Sequence, residues 1–292
     1  MLYKDPDLEL HHTLTEFPDE ALFPLHTHNR YEIYCFLAGQ GYYTVEGHDY
    51  PLTPGCILVM RDGETHKLHI SPDRPYERMA LHFPPNLIEA SQRESLLFAF
   101  RTRPLGQRNM LPPSEELSRV KDMLLRITDG TVPPEEDRAR ILAYLPAILH
   151  ELSQAARAAE AIGPEFLTEG ESGKAPLVGQ IIDHINQNPA AVEDMEALEK
   201  KFGYSRSYLN RTFRQSTGVS IWDYVILKRL TGARKAIRQG IPAAIAAHEA
   251  GYTDYSSFYR QYKKRFGISP EEEKRKPNSQ KARSRSSKGE PS

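Results

Sequence analysis

Two cysteines, Cys35 and Cys56, are too few for a disulfide framework or a cysteine-ligated zinc centre, and they point to a reduced, cytosolic chain. No apolar run approaches the roughly 18 residues that a membrane span needs, so a membrane partner is not expected. The opening stretch, MLYKDPDLELHHTLTEFPDE, is too acidic and polar for a signal peptide. Net charge is nearly missing as well, at −1 over 292 residues. A composition of 39% hydrophobic and 26% charged residues excludes wholesale disorder. The length suits two domains at roughly 100–200 residues each.

The small net charge hides an asymmetry. Residues 1–175 carry 17 Lys+Arg against 27 Asp+Glu, a balance of −10, whereas residues 176–292 carry 21 against 12, a balance of +9. A basic half on a near-neutral chain is the electrostatic footprint of nucleic-acid binding, although a solvated charged surface has the same composition.

Residues 22–83 read as strands. Short β-branched and aromatic runs at 31–37, 41–45, 57–60 and 78–83 are separated by turn residues such as Gly39-Gln40-Gly41, Glu46-Gly47-His48, Pro54-Gly55 and Asp62-Gly63. The pattern predicts a small barrel or sandwich. From Ser114 the period becomes helical. Residues 114–128 carry Leu117, Val120, Leu124 and Ile127 at helical spacing, and residues 135–161 carry Ile141, Leu142, Leu145, Ile148, Leu149 and Leu152, with Pro146 as a candidate kink. Such stripes can cover the barrel or a second protomer. A Gly-, Glu- and Ser-rich stretch at 163–175 reads as a linker, and the Lys/Arg/Ser-rich tail from 274 to 292 as disordered.

The basic half contains a repeat. Gly203-Tyr204-Ser205-Arg206-Ser207-Tyr208-Leu209-Asn210-Arg211-Thr212-Phe213 runs to Gly218, and Gly251-Tyr252-Thr253-Asp254-Tyr255-Ser256-Ser257-Phe258-Tyr259-Arg260-Gln261-Tyr262 runs to Gly267. Gly203 and Gly251 are 48 positions apart, while Arg211 and Arg260, and Gly218 and Gly267, are 49 apart. Each copy has a preceding helix, a glycine turn, a hydroxyl residue at an N-cap position (Ser205, Thr253), a helix burying Leu209/Phe213 or Phe258/Tyr262, and a terminating glycine. This is helix-turn-helix grammar. Residues 221–239 form a connecting helix of roughly 28 Å, which suits two recognition helices entering successive major grooves about 34 Å apart.

These residues closely resemble the AraC/XylS family of transcription regulators over about 95 residues, 178–273. The resemblance also rests on the connecting Arg229-Leu230 and on Lys263-Lys264-Arg265-Phe266-Gly267-Ile268-Ser269-Pro270. It implies that Ser207, Asn210 and Arg211 read bases from the first recognition helix, flanked by Ser205 and Arg206. Tyr255, Ser256, Ser257 and Arg260 do so from the second. The chemistry agrees, because Arg forks onto guanine and Asn onto adenine, while Lys263 and Lys264 suit phosphates. Two departures stand out: Glu199 occupies a position that is small in the family, and Ala243, Ala246 and Ala250 replace bulkier aliphatics. The second unit is therefore expected to be the weaker folder.

Upstream, His26-Thr27-His28, Glu32 and Gly39, followed by Gly55, Arg61, Gly63 and His66, resemble the two cupin motifs, with Arg61 in place of a proline. In metal cupins the positions matching His26, His28, Glu32 and His66 hold a divalent transition metal, a donor set suited to Fe, Mn, Ni or Zn. The same residues can instead line a sugar-sized polar pocket, together with Tyr34 and His82.

The resulting expectation is an α+β multidomain chain. A cupin-like β-barrel sensor (1–112) precedes a helical dimerisation and linker region (113–175), then an all-α domain with two helix-turn-helix motifs (176–273) and a basic tail (274–292). Its partners would be a double-stranded DNA operator, a small effector such as a sugar, a second copy of the chain, and RNA polymerase if the protein activates. The main alternative is a metal-dependent cupin isomerase or dioxygenase with an appended DNA-binding domain. A DNA alkyl-transfer repair protein is excluded by the shortage of cysteines.

Overall fold

Turn-punctuated strands build two sheets in the computed structural model, which describes residues 2–131, 133–162 and 176–275. In chain order the strands are β1 (Leu2–Lys4), β2 (Glu9–Thr15), β3 (Tyr31–Ala38), β4 (Gly41–Val45), β5 (His48–Pro51), β6 (Ile57–Met60), β7 (His66–Ile70) and β8 (Tyr76–Phe83). They pair antiparallel as a five-stranded sheet, β1-β2-β8-β3-β6, and a three-stranded sheet, β5-β4-β7. β4 and β6 keep their expected bounds, and β3 and β8 run slightly longer. β1 and β2 lie ahead of the segment that read as strands.

Register decides which residues meet. Leu10, Leu81, Ile33 and Val59 stand in one cross-strand row of the larger sheet. The next row is Glu9, His82, Glu32 and Met60. Since successive side chains point to opposite faces, one row packs outward and the other inward. The outward row shares a core with two helices, α3 (Glu115–Ile127) and α4 (Asp137–Ile162), which follow the short α1 (Arg93–Leu96) and α2 (Phe98–Arg101). Leu117, Val120, Leu124 and Ile127 of α3, and Ile141, Leu145, Ile148, Leu149 and Leu152 of α4, are fully or almost fully buried there. Their stripes thus cover the barrel. α3 starts at Ser114, whose side chain caps Leu117 N, and α4 continues through Pro146. A second core of Tyr34, Phe36, Tyr43, Val45, Leu58, Met60 and Leu68 fills the barrel between the sheets.

Arg61, where the cupin pattern has proline, belongs to a buried polar knot. Glu64 accepts both guanidinium arms of Arg103, at 2.8 and 2.7 Å, and backbone N–H groups of Arg61 and Gly106, each at 3.0 Å. Burial pushes the Glu64 carboxyl up, but Arg103 and these bonds outweigh it and lower it to about 2. The knot fixes the turn that delivers His66.

The remaining helices belong to a second compact unit, within Ala175–Ser292, and the elements already described to a first, within Met1–Lys174. They are α5 (Pro176–Gln187), α6 (Met195–Phe202), α7 (Arg206–Thr217), α8 (Ile221–Arg238), α9 (Ala243–Glu249), α10 (Tyr255–Phe266) and α11 (Pro270–Arg275). α6–α7 and α9–α10 are the two helix-turn-helix pairs, and α8 is the connector. The residues expected as the linker and all but the first two of the tail lie outside the described residues. Among the described residues, no helix is long and apolar enough to cross a membrane.

One capping expectation is corrected. Ser205 caps α7 as predicted, but α10 is capped by Asp254, which accepts from Ser256 N and Ser257 N, and Thr253 stays outside. The carboxylate takes two orphan amides where a hydroxyl serves one. The second turn is therefore one residue longer, which accounts for the spacings of 48 and 49. Gly251 sits at φ +83°, and a Cβ there would lie 2.8 Å from Ala190 O, so both backbone shape and space require glycine.

Candidate effector pocket and nucleic-acid interface

Three loops and strands deliver imidazoles to Glu32 of β3, which is buried with 3% exposure. His28 Nε2 lies 2.9 Å from Glu32 Oε2, His66 Nε2 3.3 Å and His82 Nε2 3.4 Å. His26 joins through a backbone bridge to His66, their rings 4.3 Å apart. His26 and His28 lie in the loop before β3, not on a strand as expected, and the backbone bridge draws His26 to the cluster.

The tautomers are set by the main chain. Nδ1 of His26, His28 and His66 faces the carbonyls of Pro24, Arg30 and Glu64, each at 2.9 Å. An Nδ1–H that donates to a carbonyl leaves Nε2 free to accept or ligate. Ligand atoms of His26, His28 and His66 lie within 4.8 Å of one another, as do those of His28, Glu32 and His82. His66 Nε2 is buried and, despite its 3.3 Å approach to Glu32, makes no well-directed hydrogen bond.

Burial penalises the Glu32 carboxylate, but the surrounding imidazoles of His82, His28 and His66 hold it well below the usual carboxylate range. Burial also lowers His66, yet Glu32 reverses the effect and raises it. Burial lowers His28, and lowers His26 to about 3, with His66 adding repulsion at His26.

Tyr34 does not line the open mouth. It is 1% exposed and its hydroxyl meets that of Tyr76 at 2.9 Å, so it floors the pocket as core. Two wall residues escaped the sequence reading, Glu9 and His11 on β2. Glu9 faces His82 across the ladder and is bonded to His11 Nε2 at 2.6 Å, Lys4 at 3.0 Å and Arg30 at 3.2 Å. With two cations already compensating Glu9, the grouping Glu9/His11/His82 is a polar wall and a poor cation site.

In the second unit, Arg206, Ser207 and Arg211 on α7, and Ser256, Arg260, Lys263 and Lys264 on α10, are exposed. Leu209, Phe213, Phe258 and Tyr262 are fully buried on the opposite faces. The Arg211 guanidinium stands 5.7 Å from the Tyr208 ring, and Tyr208 stacks on Tyr204 at 5.0 Å. Arg260 donates to the half-buried Ser257 at 3.1 Å, and Tyr255 donates to Glu271.

Asn210 has a structural task. Its Oδ1 accepts from Ile221 N at 3.2 Å and its Nδ2 donates to Arg206 O at 3.2 Å, tying α7 to the start of α8. While these bonds stand, no amide fork is free for adenine. Ser205 is likewise engaged as the N-cap. Glu199, the family departure, accepts from Arg206 N and so helps cap the recognition helix from α6.

Arg229 stands out in the sequence only through the Arg229-Leu230 pair of the connecting helix. It is 9% exposed and donates to four carbonyls: Pro189 O at 2.9 Å, Gly251 O at 3.1 Å, Ala190 O at 3.2 Å and Val192 O at 2.8 Å. It joins the segment before the first motif to the turn of the second.

Residues 14–167, more than half of the chain, match the family described as the AraC-like ligand binding domain, and residues 198–276 match a helix-turn-helix domain. The chain belongs to the AraC family. It is similar to the HTH-type transcriptional activator RhaS of Escherichia fergusonii, with 23% identity over 267 residues covering 87% of this chain and 88% of that one. It is similar to the uncharacterized HTH-type transcriptional regulator YbfI of Bacillus subtilis, with 22% identity and 80% of each chain covered. The Msm operon regulatory protein of Streptococcus mutans is 23% identical over 83% of each chain. Among solved structures, ToxT from Vibrio cholerae aligns over 92% of this chain and 97% of that one, at 11% identity and a TM-score of 0.35. This AraC-family chain is thus a ligand-responsive, DNA-binding regulator of transcription.

Proposed function

We propose that the effector is a small polyhydroxyl molecule, sugar-like in size and polarity, held at the barrel mouth by His26, His28, Glu32, His66 and His82. Its binding alters how α7 and α10 engage an operator. The observation that supports this reading is the convergence of three imidazoles, His28, His66 and His82, on one buried carboxylate, with His26 against His66 and part-buried Glu9 and His11 beside them: oriented donors and acceptors over an aromatic floor suit hydroxyl groups. A homodimer would let two subunits grip two half-sites. An activator, as the RhaS relatives are described, would also meet RNA polymerase.

A second reading concerns a divalent transition metal at His26, His28, Glu32 and His66. It is favoured by the buried, poorly partnered His66 Nε2 and by the three Nδ1 atoms turned to carbonyls. The donor set fits such an ion. A metal would supply a Lewis-acidic anchor for effector hydroxyls.

The test compares wild type with Glu32→Ala and His66→Ala in the full chain. Both variants are expected to bind operator as wild type does without effector, and to lose the change in affinity that effector produces. An undiminished response in both would exclude the pocket. Metal analysis of the purified chain, before and after a chelator, decides the second reading: stoichiometric metal lost together with effector affinity supports it, and effector binding in a metal-free chain removes it.

A further inference from the structure

We infer that Arg78 anchors an anionic group on the effector, so that the molecule sensed is a sugar acid or sugar phosphate and not a neutral sugar. The inference rests on the pocket reading above and adds the chemical class of the ligand.

Arg78 belongs to the inward row of β8, with Tyr76, Ala80 and His82 at period two. Its cross-strand neighbours are Thr13 on β2 and Phe36 on β3, neither of them charged. The guanidinium donates to Tyr76 Oη at 3.1 Å and lies 5.2 Å from the Phe23 ring and 5.5 Å from the Tyr76 ring. Among the described residues it meets no carboxylate. Three other arginines of this barrel do meet a carboxylate: Arg30 meets Glu9 at 3.2 Å, Arg61 meets Glu64 at 3.5 Å and Arg103 meets Glu64 at 2.7 Å.

A part-buried cation without a counter-charge is costly, and aromatic faces offset only part of that cost. The guanidinium stays charged at any working pH, so the missing counter-charge is a standing cost. One of its five N–H donors is engaged, which leaves a fork shaped for a carboxylate or phosphate. The nearby acids are committed elsewhere. Glu32 is held by three imidazoles, Glu9 by Lys4, His11 and Arg30, and Glu77 is bonded to His12 at 2.8 Å.

Arg78 and His82 are four residues apart on one strand face, about 13 Å along the strand. An effector with its anionic end on Arg78 would run along this inward face of β8, with its hydroxyls toward the imidazoles. An aldose alone would leave the guanidinium without an anion.

The experiment is calorimetric titration and thermal shift of the full chain with D-glucuronate, D-galacturonate, D-gluconate and glucose 6-phosphate, each against its neutral parent sugar. At least one acid is expected to bind, with its parent at least about tenfold weaker. The carboxylate and phosphate arms identify the anion. Arg78→Gln should weaken the acid by at least about tenfold and leave the parent unchanged, while Arg78→Lys, which keeps the charge but loses the fork, should fall between. If Arg78→Gln does not fold, as judged by circular dichroism, Arg78→Lys decides alone, and unaltered acid binding by it overturns the inference. Equal binding of acid and parent, acid binding insensitive to Arg78→Gln, or no binding by any acid also overturns it. His28→Ala separates the two readings. If that variant alone loses the acid, the anion anchor is wrong and the pocket stands; if neither variant matters, the pocket reading fails as well.

Discussion

On the recognition helices, similar side chains do different work. Arg211 is exposed on α7 with its guanidinium near the Tyr208 ring, whereas Asn210, one residue earlier, is bonded at both amide atoms. A free guanidinium can fork onto a guanine edge, a contact that discriminates by about 1–3 kcal/mol. Arg211→Ala is expected to weaken a selected duplex far more than a scrambled one. Lys264→Ala should weaken both about equally and reduce the salt slope by roughly one unit. Asn210→Ala should cost about 1 kcal/mol of stability through the lost link to Ile221 N, and lower both affinities together. Anisotropy titrations on the two duplexes, with a urea melt of each variant, separate these outcomes. Equal losses on both duplexes for Arg211→Ala would make it a phosphate contact.

Elements with a clear period were legible without coordinates. The stripes of α3 and α4, the repeated α6–α7 and α9–α10 pairs, and strands β3, β4, β6 and β8 all follow from apolar spacing and glycine turns. β2 was not, because Glu9, His11, Thr13 and Thr15 alternate with a weak apolar set in which His12 interrupts the leucines. With β2 unseen, the wall of the pocket was unseen too, since cross-strand register brings Glu9 to His82 and Thr13 to Arg78. The cupin spacing did single out His26, His28, Glu32 and His66, whose order along the chain survives folding. The fourfold carbonyl grip of Arg229 was invisible because its partners are backbone atoms some 22 to 40 positions away. That grip carries a prediction: Arg229→Met strands carbonyls at both motifs and should destabilise the C-terminal unit by about 2–4 kcal/mol in denaturant melts. Arg229→Lys should restore only part, because one ammonium cannot reach four acceptors. A melt unchanged by Arg229→Met would show that the carbonyls find water instead. α9 places only Ala246 and Ala247 in the core and leaves Ile245 50% exposed, which agrees with the alanine-rich sequence of the second unit's first helix.

At the scale of the molecule, α11 ties the C-terminal unit shut and makes it acid-sensitive. Glu273, 1% exposed, accepts from Arg234 Nε at 2.8 Å, from Arg238 and from the Tyr262 hydroxyl. Burial raises its carboxyl, but Arg234 and Arg238 prevail and hold it below the ordinary glutamate value of 4.5. A depressed folded-state value means that the contribution is present above the unfolded value and is lost as pH falls through the folded one. Denaturant melts should therefore weaken from about pH 5 downward. Glu273→Gln should flatten that slope and cost about 2 kcal/mol at neutral pH, a figure reduced for the partial exposure of Arg238. A slope unchanged by the substitution would assign the acid sensitivity to other groups.

The acidic N-terminal unit carries the proposed pocket and the basic C-terminal unit carries two exposed cationic helices, so the chain is expected to grip DNA through α7 and α10 under effector control. The most direct test is a salt titration of the full chain on a duplex selected from a randomised pool and on its scrambled counterpart, with and without effector. Arg206, Arg211 and Arg214 of α7 and Arg260, Lys263, Lys264 and Arg265 of α10 are exposed. If most of them displace counterions, log affinity falls against log salt with a slope of about −4 or steeper on both duplexes. The selected duplex should be held more tightly throughout, and effector should change its affinity. A flat salt dependence, or no preference for the selected duplex at any salt, would contradict the account.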